Sequence, residues 1–460
     1  MRYRYRSDDE LKDSGVEWLG KIPKDWELRQ LKRVLADRKE NNEPIKTSNI
    51  LSLTIEKGVI PYSEKGTGGN KAKEDLRQYK LVYPNDIVLN SMNVIVGAVG
   101  LSKYFGCASP AYYMLYKINE SDDIRFYNYI FKSKLFQDSL KGLGNGIMMK
   151  QSETSGKLNT IRMRIPMEKL SSVKMPIIFS LEQEKIANFL DEKTSQFDLI
   201  ISKKEKLIER LEEAKKSLIS EVVTGKVKVV KTDDGYELMK KSSEEMKDSG
   251  VEWLGEIPKD WEYGQLKYLC SYITDGAHIS PETENGVYPF LSVKDLKNGH
   301  LDFKNCLLTS SNNYEYLKRN SCNPKLGDVL ISKDGTIGKT VTIEYDKNFV
   351  VASSLVILRP KKFLQSKYFE YILNSKSVQE QINSFVKGAA LPRISITHLK
   401  EILLPFTRDI IEQGDIVDYL SIELNRIDSI LYKINLQIEK IKEAKQSLIS
   451  EVVTGKIEIL

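Results

Sequence analysis

"KDSGVEWLGKIPKDWE", residues Lys12–Glu27, recurs as "KDSGVEWLGEIPKDWE", Lys247–Glu262, and only Lys21 against Glu256 differs. A second stretch, "AKKSLISEVVTGKVKV" from Ala214, returns as "AKQSLISEVVTGKIEI" from Ala444. The first block recurs after 235 residues and the second after 230, about half of the 460-residue chain. One large unit is therefore duplicated, unlike the short tandem periods of a solenoid.

Between the blocks the halves diverge, but echoes survive. "YPNDIVLNSMNVIVGAVG" (Tyr83–Gly100) is echoed by "KLGDVLISKDGTIGKTV" (Lys325–Val341). Each has a turn, then Asp86 or Asp328, an apolar run, a polar loop and a glycine, Gly97 or Gly338. "RIPMEKLSSVKMP" (Arg164–Pro176) is likewise echoed by "RISITHLKEILLP" (Arg393–Pro405). Short β-branched runs such as "DIVLN", "DVLIS" and "SLVILRP", bounded by Gly, Asp and Pro, predict strands. "RFYNYIFKSKLFQDSLKG" (Arg125–Gly142) and "SKYFEYILNSKSVQEQINSFVKG" (Ser366–Gly388) carry apolar residues at helical spacing. The expected fold class is mixed α/β (α+β), with one fold occurring twice as a pseudo-twofold internal repeat.

Each half then enters a long helical pattern. Ile186, Leu190, Lys193, Phe197, Ile200, Lys204, Leu207, Leu211, Ala214 and Leu218 alternate by fours and threes. The second set runs from Ile416 to Leu448, each member 230 residues beyond its counterpart. This period predicts two coiled-coil helices of about 40 residues, roughly 60 Å at 1.5 Å per residue. Two homologous halves pack most economically about a pseudo-twofold axis, which makes the helices antiparallel. The second tryptophan block is then expected at the end of the first helix, the first block at the end of the second, and the termini close together. The repeated letters would be one joint built twice, and it holds all four tryptophans, Trp18, Trp26, Trp253 and Trp261.

Composition sets the class. Hydrophobic content of 41% and charged content of 29% fit a globular protein. No apolar run approaches the roughly 20 residues that cross a bilayer, and the N-terminus lacks a signal-peptide core, so a cytoplasmic protein without a membrane partner is expected. Four cysteines without C-x-x-C spacing and three scattered histidines argue against a metal site. A net charge of +6 permits a polyanion partner without demanding one.

The two variable domains, each introduced by "WLGxIPxDWE" and followed by "EQEKIANFLDEKTSQFD" (Glu182–Asp198) or "EQGDIVDYLSIELNRID" (Glu412–Asp428), a long coil and "SLISEVVTGK", resemble the specificity subunit of type I restriction–modification systems (the HsdS family). The resemblance runs from Lys12 to Leu460 and includes "GDVLISKDGTIGKT" in the second domain; the first departs there, with "NDIVLNSMNVIVGAVG". It implies two target recognition domains, separated by two long antiparallel helices forming a coiled coil, each domain reading one half of a bipartite gapped site in double-stranded DNA. The coil would set the spacing. Two methyltransferase subunits are the implied partners, and two motor-nuclease subunits can join them. The implied division is 1–180 for the N-terminal segment and first recognition domain, 181–225 for the first helix, 226–245 for a linker, 246–408 for the second recognition domain and 409–460 for the second helix. Rigid arms of this length suit half-sites about one helical turn, near 34 Å, apart.

The chain itself is expected to be non-catalytic and to hold no cofactor. It has no Pro-Pro dipeptide for an adenine-methylating motif. "GLGNG" (Gly142–Gly146) follows a helix and reads as a helix stop. "SKDGTIGKT" ends like a nucleotide-binding loop, but Lys333 stands where the leading glycine is required. A duplicated enzyme would need matched catalytic groups, and no histidine has a counterpart at the repeat offset. A pure coiled-coil scaffold leaves the two diverged domains unexplained. Candidate DNA contacts lie in loops after strands and in glycine-rich turns, where a scaffold exposes side chains. They are Asn90, Asn93, Lys141, Asn145, Lys150, Arg162 and Arg164 in the first domain, and Lys333, Asp334, Thr336, Lys339, Lys387 and Arg393 in the second. Arg164 and Arg393 hold equivalent places, which points to a shared task such as phosphate anchoring.

Overall fold

The computed structural model describes residues 2–66, 72–144, 164–280, 284, 286–297, 299–387 and 392–460. The chain divides into two units: residues 1–204 with 435–460, and residues 205–434. The two long helices, Ser180–Val223 and Ile410–Val453, are 44 residues each, and each contributes residues to both units.

The heart of each unit is a four-stranded antiparallel sheet of the same order. In the first unit it runs Val99–Leu101, Ile87–Asn90, Tyr112–Lys117, Leu35–Asp37; in the second, Thr340–Thr342, Val329–Ser332, Leu355–Pro360, Cys270–Asp275. Register is kept as well: Ile87 faces Leu115 as Val329 faces Leu358. Asp86 and Asp328 sit at the foot of the matching central strands, with side chains only 2% and 1% exposed. Each accepts a turn N–H, from Tyr83 and from Lys325, and each is held by a two-pronged arginine. That arginine comes from different strands: Arg38 follows the edge strand in the first unit, and Arg359 lies on the neighbouring central strand in the second. The carboxylate is the fixed element because the tight turn before the strand requires it; its counterion can arrive by either route.

Each expected domain helix is two. Ile124–Lys132 stops before Lys134–Ser139, and Ser366–Leu373 before Lys376–Ser384. Ser133 and Ser375 cause the breaks: both are fully buried in extended backbone, and the Ser133 hydroxyl caps the second helix by accepting from Phe136 N–H. Aromatic side chains, Phe126, Phe131, Phe136 and Phe189 in one core and Tyr368 and Phe369 in the other, join these helices to the start of the adjacent long helix.

The repeated letters form the expected joint. In the first unit the Trp26 ring is buried, and its Nε1–H points at both Glu182 oxygens, at 3.3 Å. Its face and that of Pro23 close on Gly455, where φ is +72° and an added Cβ would lie 2.4 Å from Pro23 Cδ. In the second unit Trp261 donates to Glu412, and Pro258 closes on Gly225 at 2.3 Å from the position of a Cβ. Only glycine fits both the left-handed backbone and the contact. The "EQ" pair is explained too. Gln183 is wholly buried, accepts from Asp123 N–H and donates to Ile178 C=O; Gln413 accepts from Gln365 N–H and donates to Phe363 and Thr407 C=O. The copies differ at the other tryptophan. Trp18 packs edge-on to Phe136, whereas Trp253 is 45% exposed, and the position matching Phe136 holds the smaller Val378.

Residues near the two termini meet as expected, Tyr3–Tyr5 pairing antiparallel with Ile457–Ile459. The corresponding stretch of the second unit is a hairpin, Val227–Thr232 with Gly235–Lys240, so residues 226–245, expected as a linker, carry ordered strands. A two-stranded antiparallel pair also joins the entry and exit of each variable domain: Glu27–Gln30 with Lys174–Ile177, and Glu262–Gln265 with Leu403–Phe406.

Within each unit the helix segments run antiparallel. In the first, Lys445 pairs with Asp198 at 2.6 Å and Lys204 Nζ donates to Gln437 at 2.7 Å, so one chain advances as the other retreats. The second repeats the ion pair as Lys215–Asp428, also at 2.6 Å. The seam departs from strict heptads. Past Phe197 it steps to Ile201 and Ile208 while Ile200 and Leu207 are exposed; past Ile427 it steps to Leu431 and Ile438 while Ile430 is exposed. Two successive steps of four absorb the drift of a 3.6-residue helix against a 3.5-residue repeat. The Lys–Asp pairs pin this register from the surface. Reversing Asp428 to lysine is expected to destabilise the second unit, and adding Lys215→Asp to restore it. A double-mutant cycle by urea denaturation should give a coupling of about 0.2–1 kcal/mol, the range of exposed pairs.

Candidate nucleic-acid interface

In the second unit the loop after strand Val329–Ser332 is built from within. The Ser332 hydroxyl donates to Thr336 C=O at 2.6 Å and accepts from Lys339 N–H at 2.9 Å, closing the loop on itself. Gly335 and Gly338 take the left-handed turns, at φ +72° and +80°. A second segment is clipped against it: Lys387 and Arg393 exchange both backbone hydrogen bonds, Gly335 N–H donates to Pro392 C=O, and Ile394 N–H donates to Lys333 C=O. All six candidates of this domain therefore meet on one loop pair, although Lys333 and Arg393 are 60 residues apart in sequence.

Their exposures differ. Thr336, Lys339, Lys387 and Arg393 face outward, and the Arg393 side chain is 62% exposed while donating through Nε to the nearly buried Asp334 carboxylate at 2.6 Å. Lys333 is only 10% exposed along its side chain, and its amine donates to Asp275 at 2.8 Å. Asp275 closes the edge strand of the sheet, so topology and not sequence spacing brings the pair together. Carboxylates below and cations above make an anion-facing surface.

The same corner of the first unit is made differently. The Asn90 side chain accepts from Met92 N–H, and Asn93 C=O accepts from Val96 and Ala98 N–H, so both asparagines shape the loop that exposes Met92 and Val96. Ile165 N–H donates to Ser91 C=O as Ile394 does to Lys333, which places Arg164 in the position of Arg393; both arginines are exposed. Lys141, near the end of the domain helices, is ion-paired to Asp138 at 2.6 Å. Asn145, Lys150 and Arg162 lie outside the described residues. Two groups escaped sequence reasoning. Lys80 donates to Tyr112 C=O, and burial pulls its pKa down, with Asp37 opposing and Arg164 and Lys39 assisting. Burial pushes the Asp37 carboxyl up against the pull of Lys80 and Lys39. Asp37 and Lys80 are 43 residues apart, and nothing in their flanking letters announces the meeting.

Among the described residues no cluster of three or more His, Cys, Asp or Glu is arranged to hold a metal, and no helix is long and apolar enough to cross a membrane. Asp86 and Asp328, acids at matching places in the two halves, are both committed to arginine contacts.

Residues 258–440 match the family model described as the type I restriction modification DNA specificity domain. Two relatives from Methanocaldococcus jannaschii align along nearly the full length. The type I restriction enzyme MjaIX specificity subunit is 23% identical, covering 99% of this chain and 98% of its own. The MjaVIII specificity subunit is 23% identical, covering 95% and 94%. A solved chain from work on complex assembly and conformational transition of the type I R-M system shares the fold, with a TM-score of 0.66 at 16% identity over 95% of this chain and 99% of that one. The duplicated frame, the matched domain and the full-length relatives agree: residues 258–440 match a type I restriction modification DNA specificity domain, and along its length the chain is similar to type I specificity subunits.

Proposed function

We propose that each recognition domain reads one half of a two-part DNA site, that the paired helices set the interval between halves, and that the chain carries two methyltransferase subunits and, in a restricting complex, two motor-nuclease subunits. The observation that carries this reading is a difference on a constant frame. Sheets of the same strand order end in loops whose equivalent positions hold Ser91 against Lys333 and Met92 against Asp334, while Arg164 and Arg393 are the same. Phosphates are alike in every sequence, so the common arginines suit backbone anchoring; bases differ, so the unlike loops suit readout. No chemistry is assigned to the chain itself; methyl transfer belongs to its partners.

Mapping methylated adenines in the genome of a cell carrying this chain with its methyltransferase is expected to give one motif with two specified parts and an unspecified gap. A continuous motif, or none, would overturn the reading. A finer expectation concerns affinity. Each phosphate contact contributes about 0.9 to the slope of log K against log salt, so Lys339→Gln with Lys387→Gln should lower that slope by about two in gel-shift titration. An unchanged slope would remove both lysines from the interface.

A further inference from the structure

Resting on that reading, we propose that His278 is a base-reading residue of the second recognition domain, and that Asp275 and Lys333 are the residues that position it. A single carboxylate oxygen, Asp275 Oδ2, receives the His278 ring Nε2 at 2.7 Å and the Lys333 amine at 2.8 Å. The three groups are graded from inside to outside: the Lys333 side chain is 10% exposed, that of Asp275 20% and that of His278 68%. The lysine is thus spent on the carboxylate, and the carboxylate on the imidazole, whose free edge is the part that faces out. With Nε2–H donated to Asp275, Nδ1 is the polar atom left on this exposed ring, and in the neutral tautomer it is an acceptor. Such an atom complements the exocyclic amine that adenine or cytosine shows in the major groove.

The backbone holds the ring in place. Ala277 N–H donates to Val351 C=O and Ser353 N–H donates to Ala277 C=O, both at 2.8 Å, while Gly276 N–H donates to Leu355 C=O. Gly276 packs so closely that a Cβ there would lie 2.1 Å from Val351 O. A side chain on a segment fixed this way is pre-oriented, as readout needs. Among the described residues the arrangement occurs in one domain. The position of Lys333 holds Ser91 in the first unit, and the Ser91 hydroxyl instead donates to Ala111 C=O. A network present at one corner only is suited to discriminating between two unlike half-sites; a shared arginine is not.

The experiment uses the full chain co-expressed with its methyltransferase partner, and reads the methylated motif genome-wide. His278→Ala is expected to relax one position in one half of the motif, with discrimination there falling about 5- to 150-fold, the worth of one good base contact. The other half should be unchanged. Lys333→Met should relax the same position, and Lys333→Arg should restore it, which a lysine serving only overall stability would not do. An unaltered motif in His278→Ala, or relaxation spread over both halves, would overturn the assignment. A wild-type chain that directs no gapped motif would instead overturn the functional reading beneath it.

Discussion

Trp261→Ala is expected to destabilise the second unit by about 3–5 kcal/mol, the cost of deleting a large buried aromatic side chain. The ring is 1% exposed, meets Tyr368 edge-on and backs Gly225 at the end of the first long helix. Its loss opens a cavity that Gly225 cannot fill, and it removes the Nε1–H donor from Glu412. Trp26→Ala should act likewise on the first unit through Gly455 and Glu182. Trp253→Ala is the control: at 45% exposure it should stay within about 0.5 kcal/mol. Urea denaturation followed by circular dichroism separates these cases. Equal losses for Trp253 and Trp261 would show that the joint is not where the stability of the block resides.

Arg359→Met should cost the second unit about 3–5 kcal/mol, as expected when one partner of a buried pair is removed. Asp328 is 1% exposed, and both its oxygens accept from the guanidinium, at 2.7 and 2.8 Å. Without that charge the carboxylate keeps a single backbone donor, Lys325 N–H. Adding Asp328→Asn should recover part of the loss, since the uncompensated charge is then gone. Arg38→Met with Asp86→Asn provides the same cycle in the first unit. A single Arg359→Met that unfolds at the wild-type urea concentration would mean the pair contributes nothing net.

The frame was legible because it is written twice. Trp26, Glu182, Gln183 and Gly455 recur as Trp261, Glu412, Gln413 and Gly225, and such a repeat marks a joint before any contact is known. Apolar spacing gave the long helices and the internal symmetry their antiparallel sense, but neither gave the seam beyond Phe197, because a helix of 3.6 residues per turn drifts off a repeat of 3.5. Ser133 and Ser375 look like ordinary helix residues, and only their buried, extended backbone shows that the helix breaks there. At the interface, the glycine-rich loop after Ser332 was visible as a motif, and its outward residues Thr336 and Lys339 were named from it. The inward fate of Lys333 was not visible, since Asp275 reaches it across the sheet from 58 residues away. Asp37 and Lys80 were missed for the same reason: the fold brings their charges within influence of one another without a local sign.

The short strand pairs Glu27–Gln30 with Lys174–Ile177 and Glu262–Gln265 with Leu403–Phe406 bring the chain into and out of each reading domain side by side. Inserted modules are tolerated where their ends are adjacent and few other contacts cross. On the reading proposed above, a cassette bounded by these strands that keeps the contacts of Phe136 with Trp18 and of Asp123 N–H with Gln183 can be traded for another while the tryptophan joint and helix register stay in place, so that a new target sequence would be acquired without rebuilding the machine that acts on it.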